Sequence, residues 1–192
     1  VVGLGRFGRL HAITLAGLAE AELVGLVARR QQSLDALAAE LPGVPGWTKL
    51  EKAVKDSYAE DWVVACTTAS HVPVTRTLLE AGTTVLLEKP IADDLAAAQS
   101  LQPLVRADSG NLMIGHIVLF NSEFLQLREE AARRGPLSYI HCVRHRPASI
   151  VRDFPGENPL YAAMVHDLYA TQVLVQGAEP AGCSAQYPRT PD

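Results

Sequence analysis

Two short motifs in this sequence carry residue types that could act together on a substrate. Glu88-Lys89-Pro90 follows the apolar run at residues 84–87, and a glycine-rich segment occupies residues 3–8. A lysine that ends a buried strand beside a ligand crevice is partly desolvated, which can lower its pKa enough for proton exchange. Alternatively, such a lysine stays charged and hydrogen-bonds an oxygen that becomes a carbonyl.

The proline determines how the lysine is presented. Pro90 restricts the backbone of Lys89 and is compatible with a cis peptide bond, which would aim the lysine side chain. Because side chains alternate along a strand, Lys89 would emerge at the carboxyl edge on the same face as Val85 and Leu87. Taken alone, the triplet also fits a charged surface turn, so its interpretation depends on the surrounding elements.

The glycine-rich segment has the spacing G-x-G-x-x-G, which is typical of a turn that binds the pyrophosphate of a dinucleotide. Gly3 would permit the tight turn, Gly5 the approach of the pyrophosphate, and Gly8 the close packing of helix on strand. The amides at the start of the helix would bind the phosphates. A purely structural turn is the alternative. The predicted cofactor-binding residues of this loop are Gly3, Gly5, Arg6, Phe7 and Gly8.

The end of the second strand-like segment bears on the choice of cofactor. About 20 residues beyond the last glycine, NAD enzymes place an acid that binds the ribose hydroxyls, but this chain has Ala28-Arg29-Arg30. Because this position lacks a carboxylate, it would not repel the 2′-phosphate of NADP, and the guanidinium groups of Arg29 and Arg30 could bind that phosphate. The sequence therefore predicts NADP, with NAD as the other candidate. Two solvated arginines on a loop are the alternative.

A polar segment follows the apolar residues 62–66. In open parallel sheets, ligands bind at the carboxyl ends of the strands, so the hydroxyls and amides of residues 67–71 are expected to line the cofactor cleft. Ser70 could instead cap the following helix, and both roles can hold together. The predicted cofactor-binding residues of this edge are Thr67, Ser70, His71, Glu88 and Lys89.

Strand-like and helix-like segments alternate through residues 1–114. The expected strands are residues 1–2, 22–27, 62–66, 85–87 and 112–114; the expected helices include residues 33–41 (capped by Ser33), 50–57, 71–81 and 93–105. Residues 42–46 read as a turn-rich connection. This alternation implies right-handed crossovers and a parallel sheet covered on both faces. We therefore predict an α/β fold, a doubly wound (Rossmann) dinucleotide-binding domain over residues 1–114.

The pattern changes over residues 115–192. A helix is expected at residues 123–134, a half-exposed strand at 138–146, a long helix at 160–175 and a strand at 182–187. These elements predict a partial α+β domain with a mainly antiparallel sheet, suited to substrate binding and oligomerisation. Because the chain starts inside a strand and stops soon after another, we interpret it as part of a longer protein.

Composition excludes several classes of function. The chain has 192 residues and a net charge of −4, which argues against nucleic-acid binding. No apolar run approaches the roughly 20 residues that span a bilayer, so no membrane partner is expected. Cys66, Cys142 and Cys183 are widely spaced and read as reduced cysteines of a cytoplasmic protein. His141 and His145 would share a strand face without a third ligand, so no metal site is predicted.

Taken together, the motifs resemble the glucose-fructose oxidoreductase / inositol dehydrogenase / MocA (Gfo/Idh/MocA) family. The resemblance covers essentially the whole chain. It implies an NAD(P)-dependent oxidoreductase that acts on a small sugar, cyclitol or related polyol and forms a homo-oligomer, with Lys89 as catalytic lysine and His166 as catalytic histidine. The residues that carry it are Gly3 to Gly8, Thr67 to His71, Leu79-Glu80-Ala81-Gly82, Glu88-Lys89-Pro90, Gly115-His116, Phe120-Asn121 and Val165-His166-Asp167.

The chain departs from the family pattern at three positions. Ala162 stands where the family commonly has an aspartate, Leu119 where an arginine is frequent, and Tyr169 where a later acid is found. His166 could therefore be a packing residue of an amphipathic helix. The departures also leave room for a second interpretation, a non-catalytic dinucleotide-binding regulator built on the same fold.

Overall fold

A computed structural model describes residues 1–145, 163–176, 178–184 and 186 of the chain. The chain folds into two compact units, Val1–His116 and Ile117–Asp192. The first unit is an α/β structure around a parallel sheet, and the second is helical where regular structure is described.

The sheet of the first unit is parallel throughout. Its strands are β1 (Leu26–Val27), β2 (Gly46–Trp47), β3 (Asp61–Val64), β4 (Thr84–Leu87) and β5 (Leu112–Ile114). β1 pairs with β2, and β4 lies between β3 and β5. Val2 joins the two ladders, because it forms parallel bridges to Val27 and to Val64. If the segment around Val2 is counted as the first strand, the order is the 3-2-1-4-5-6 of a Rossmann sheet. The predicted fold of this unit is confirmed.

Helices cover both faces of this sheet. They are α1 (Arg6–Ala16), α2 (Gln31–Ala38), α3 (Leu50–Ser57), α4 (Thr68–Glu80) and the short α5 (Leu95–Gln99). Neighbouring strand residues contribute to opposite cores: Val63 packs with Ala12 of α1, whereas Val64 packs with Ala53 of α3 and Leu78 of α4. A strand buried on both faces reads as a continuous apolar run, and the sequence shows such runs here.

Several predicted boundaries are wrong by a few residues. α2 begins at Gln31 with Arg30 at its N-cap, so Ser33 lies inside the first turn. α4 begins at Thr68 with Thr67 at its N-cap, so Ser70 is not the cap either. In both cases the helix starts as soon as the chain has left the strand edge, and this tertiary constraint outweighs the capping preference of a serine further on. β2 replaces part of the predicted turn at residues 42–46.

The second unit contains α6 (Ser122–Arg134) and α7 (Val165–Leu174), preceded by a 3-10 turn at Ile117–Phe120. Residues 138–145 are not a strand, although their sequence alternates, and residue 146 lies outside the described residues. A strand needs a neighbour for its backbone groups, and no described segment of this unit pairs with residues 138–145. Residues 182–184 and 186 of the predicted strand at 182–187 are described and form no strand. Ala162 and residues 185 and 187 lie outside the described residues, so the antiparallel sheet stays a prediction.

Two glycines allow α1 to pack tightly against the sheet. Gly3 has a φ of +87°, and a Cβ built there would lie 2.6 Å from backbone atoms of Cys66. A Cβ on Gly8 would overlap the carbonyl oxygen of Gly3. Side chains at these positions would force the loop, the helix and β3 apart.

The Gly8→Ala variant should therefore lose about 2–3 kcal/mol of unfolding free energy, because the added methyl group must displace backbone. Gly5→Ala is the matched control: its φ is −71° and a Cβ there meets nothing within 4 Å. We expect it to cost less than about 1 kcal/mol. Urea denaturation followed by circular dichroism measures both, and equal losses in the two variants would contradict the packing argument.

Candidate functional site

The glycine loop presents its open side at Gly5. Gly5 is the N-cap of α1, and the space beside its Cα is empty for 4 Å around a built Cβ. The first N–H groups of a helix have no partner within the helix, and the first turn of α1 contains no acidic residue. Arg6 and Phe7 are exposed beside this opening. Free space, amide donors and the positive end of a helix together fit a phosphate group.

A small cavity lies next to this loop, between α1 and α2. Its volume is about 300 Å³. None of its lining residues is acidic, and two are arginines, so it suits an anion rather than a cation. Arg29 is exposed but does not line it. The lining residues are Leu4, Arg9, Arg30, Gln32, Ser33, Ala36 and Leu37.

Of these lining residues, only Arg30 has a cofactor-binding role predicted from the sequence. Ser33 was assigned to a helix cap, whereas its true position in the first turn of α2 places it on the cavity. Arg9 forms an ion pair with Glu40, which lies just after the C-terminal end of α2. The position of Arg9 one turn into α1 was the available signal, since that turn follows the phosphate-binding loop.

The segment after β3 divides into an exposed and a buried part. Thr67 is exposed, and its hydroxyl lies 3.2 Å from that of Ser70. His71 is only 2% exposed, with Nδ1 2.7 Å from the carbonyl oxygen of Pro90 and Nε2 3.2 Å from that of Cys66. Carbonyl oxygens only accept hydrogen bonds, and the shorter contact favours a hydrogen on Nδ1. His71 therefore donates its Nδ1–H to the Pro90 turn and is buried beside the Cys66 carbonyl group. Its role in cofactor binding stays a prediction.

The Glu88-Lys89-Pro90 turn leaves the sheet at the end of β4. The Lys89–Pro90 peptide bond is cis. One carboxylate oxygen of Glu88 accepts a hydrogen bond from Nε2 of His11 at 2.8 Å, and the other accepts one from the backbone N–H of Lys89 at 3.3 Å. His11 belongs to α1, so this turn is joined to the helix that begins at the glycine loop. No local sequence pattern indicates this contact.

The ionic states around Lys89 follow from burial and from neighbouring charges. Burial alone would raise the pKa of Glu88, but the hydrogen bond from His11, the Lys89 N–H and the nearby positive charges outweigh it and hold that pKa below its usual value. Burial, together with the charge of Lys89, lowers the pKa of His116 despite the opposing charge of Glu88. At neutral pH the Glu88 carboxylate is therefore ionised and the His116 imidazole is neutral, and both are close enough to Lys89 to feel its charge.

His166 and Asp167 lie in the second unit, in the first turn of α7. Nε of Arg144 donates to Oδ2 of Asp167 at 2.8 Å, and Nη2 donates to Oδ1 at 2.5 Å. Such a bidentate pair fixes the carboxylate. Asp167 is thus a structural partner of Arg144. Lys89 belongs to the other unit.

Among the described residues, no cluster of three or more His, Cys, Asp or Glu side chains could hold a metal ion, and His141 and His145 are exposed. Nor is any helix among those residues long and apolar enough to cross a membrane. Burial raises the pKa of the Cys66 thiol beside the glycine loop, so that it is protonated at neutral pH.

Comparison with known proteins agrees with this geometry. Inositol 2-dehydrogenase of Corynebacterium glutamicum (strain R) is 25% identical over 194 residues, which cover 99% of this chain and 57% of that enzyme. UDP-N-acetylglucosamine 3-dehydrogenase of Acidithiobacillus ferrooxidans is 28% identical over 193 residues, covering 96% of the chain and 56% of the relative. The structure of GenD2 from gentamicin A biosynthesis in complex with NAD matches with a TM-score of 0.75 at 26% identity, covering 92% of this chain and 52% of that one.

The chain thus spans little more than half the length of these relatives. The model of the oxidoreductase family with an NAD-binding Rossmann fold, GFO_IDH_MocA, matches residues 1–116. That match covers the glycine loop, the arginine cavity and the lysine turn. On this evidence the chain belongs to the Gfo/Idh/MocA oxidoreductase family.

Proposed function

We propose that the protein is an NAD(P)-dependent oxidoreductase that moves a hydride between a nicotinamide cofactor and a CH–OH carbon of a cyclitol, sugar or related polyol. The observation that carries this proposal is the link between the lysine turn and the glycine-loop helix, formed by His11 and Glu88 at 2.8 Å. It holds a proton-exchanging group near a phosphate-binding helix start. Support comes from the relatives named as dehydrogenases of inositol and of UDP-N-acetylglucosamine.

The residues present fit a dinucleotide. The open space at Gly5 and the amides that start α1 would bind the pyrophosphate, with Arg6 beside it. Thr67 and Ser70 offer exposed or half-exposed hydroxyls at the neighbouring strand end. When bound, the nicotinamide supplies the acceptor or donor of the hydride. The protein then has to orient the substrate and manage its hydroxyl proton.

Lys89 is the proposed residue for that proton. It would hydrogen-bond the reacting hydroxyl oxygen and either take its proton or stabilise the oxygen while remaining charged. Its neighbours support this role, because Glu88 is ionised and His116 is neutral at neutral pH. His166 is proposed as a second proton-transfer group because Val165-His166-Asp167 resembles the family pattern.

For the cofactor we propose NADP over NAD. The cavity beside the glycine loop is lined by Arg30 and Ser33 and holds no carboxylate that would repel a 2′-phosphate. Arg29, exposed next to it, adds positive charge. The NAD complex of GenD2 is a property of that protein and makes NAD the alternative.

The remaining assignments concern organisation. We propose that residues 1–114 bind the dinucleotide, and that residues 115–192 contribute to substrate binding and to a homo-oligomer. We also propose a cytoplasmic location, supported by three cysteines that are all free thiols.

The role of Lys89 predicts the behaviour of the Lys89→Ala variant. Turnover of myo-inositol or another polyol, measured by nicotinamide absorbance, should fall about 10²–10⁴-fold in kcat, while the affinity for cofactor changes little. Lys52→Ala, at an exposed position of α3, serves as the control and should keep full activity. Unchanged turnover in Lys89→Ala would refute the assignment. Cofactor binding without turnover of any polyol or sugar would favour a dinucleotide-binding regulator.

The arginine cavity predicts a difference between the two cofactors. Arg29→Asp combined with Arg30→Ala should weaken NADPH binding by about tenfold or more, because charge-assisted hydrogen bonds to the 2′-phosphate are lost, and should spare NADH. Fluorescence titration measures both dissociation constants, with Arg128→Ala on α6 as a control. Equal effects on NADPH and NADH would mean that these arginines are only solvated.

A further inference from the structure

We propose that His11 is a positioning residue for Lys89, which acts through the carboxylate of Glu88. This inference rests on the proposed function, since it concerns the placement of the same lysine. His11 carries no substrate-binding role here; its effect is on the geometry of the turn at the end of β4. The two residues of the pair are 77 positions apart in the chain.

The carboxylate of Glu88 bridges two elements. Oε1 accepts the hydrogen bond from Nε2 of His11 on α1, and Oε2 accepts the N–H of Lys89 itself. An ionised carboxylate only accepts hydrogen bonds, so Nε2 must carry the hydrogen. The Glu88 side chain therefore links the backbone N–H of Lys89 to His11 on α1.

The Glu88 side chain is also packed against the end of β5. A Cβ built on Gly115 would lie 3.3 Å from the carboxyl group of Glu88, so the carboxylate packs directly on the backbone at the end of β5. The Gly115 N–H donates in turn to the carbonyl oxygen of Leu87 at 2.8 Å. The side chains of His11 and Glu88 are 27% and 18% exposed. A charge-assisted hydrogen bond in such a half-buried place is stronger and less screened than one at the surface.

The His11–Glu88 hydrogen bond sets the distance between the proposed phosphate-binding site and Lys89. α1 fixes where the phosphates would bind, and the Glu88 link fixes the Lys89 turn relative to α1. Without the donor at His11, Glu88 can rotate away from α1 and the turn loses its fixed position. A displacement of about 1 Å at a reacting group can cost up to about a hundredfold in rate.

Three variants separate this role from a general loss of stability. His11→Leu removes the donor and keeps an apolar side chain, whereas His11→Gln keeps an N–H donor near the position of Nε2. Thr14→Ala, at an exposed position of the same helix, is the matched control. In the intact protein we would measure kcat and KM with myo-inositol, the dissociation constants of NADPH and NADH, and the melting temperature.

A readout that needs no turnover is the reactivity of Lys89. Acetylation by an amine-reactive reagent, quantified by mass spectrometry against Lys52, reports how firmly the turn is held. We expect His11→Leu to raise the labelling rate of Lys89 by about threefold or more, because the turn opens more often. Thr14→Ala should leave it unchanged.

The expected kinetic result is a fall in kcat of about tenfold to a hundredfold in His11→Leu, with cofactor dissociation constants changed less than about threefold. His11→Gln should recover most of the loss. The inference is overturned if His11→Leu keeps normal kcat and Lys89 labelling, or if His11→Gln is as impaired as His11→Leu. Full activity in Lys89→Ala would instead defeat the proposed function, so the two failures are distinct.

Discussion

The parallel direction of every strand in the first unit is the constraint on which the rest of this structure depends. Because the Val2 segment pairs in parallel with both β1 and β3, the carboxyl ends of all the strands meet at one edge. The segments gathered there are the glycine loop, the arginines after β1, residues 67–71, the lysine turn after β4 and Gly115-His116 after β5. These segments are far apart in sequence. They form one candidate site because they all lie at the same edge of the sheet.

The packing of α1 and the charged side chains determine which groups can bind at this edge. Glycine at positions 3 and 8 brings α1 against the sheet, and glycine at position 5 leaves the helix start open. The edge combines a positive helix end and arginines on the side of β1 with a carboxylate, a lysine and an imidazole on the side of β4 and β5. One side is therefore suited to hold phosphates and the other to hold and move a proton. A dinucleotide-dependent oxidoreductase requires both properties.

Much of the first unit could be predicted from sequence, because its strands are continuous apolar runs and its loop has a defined spacing. The bounds of α3 and β5 were predicted to the residue. The features that the sequence does not predict depend on tertiary contacts: α2 and α4 begin before Ser33 and Ser70, and residues 138–145 form no strand. The burial of His71 beside two carbonyl groups is another such feature. The His11 contact with Glu88 joins residues 77 positions apart, and no local pattern encodes such a pair.

The most direct test of the account is a crystal structure of the intact protein with NADPH and with NADH. We expect the pyrophosphate to lie within hydrogen-bond distance of the amides that follow Gly5, and the nicotinamide ring to lie beside Nζ of Lys89. In the NADPH complex the 2′-phosphate should contact Arg30 and Ser33. A dinucleotide bound away from the glycine loop, or a nicotinamide ring remote from Lys89, would contradict it.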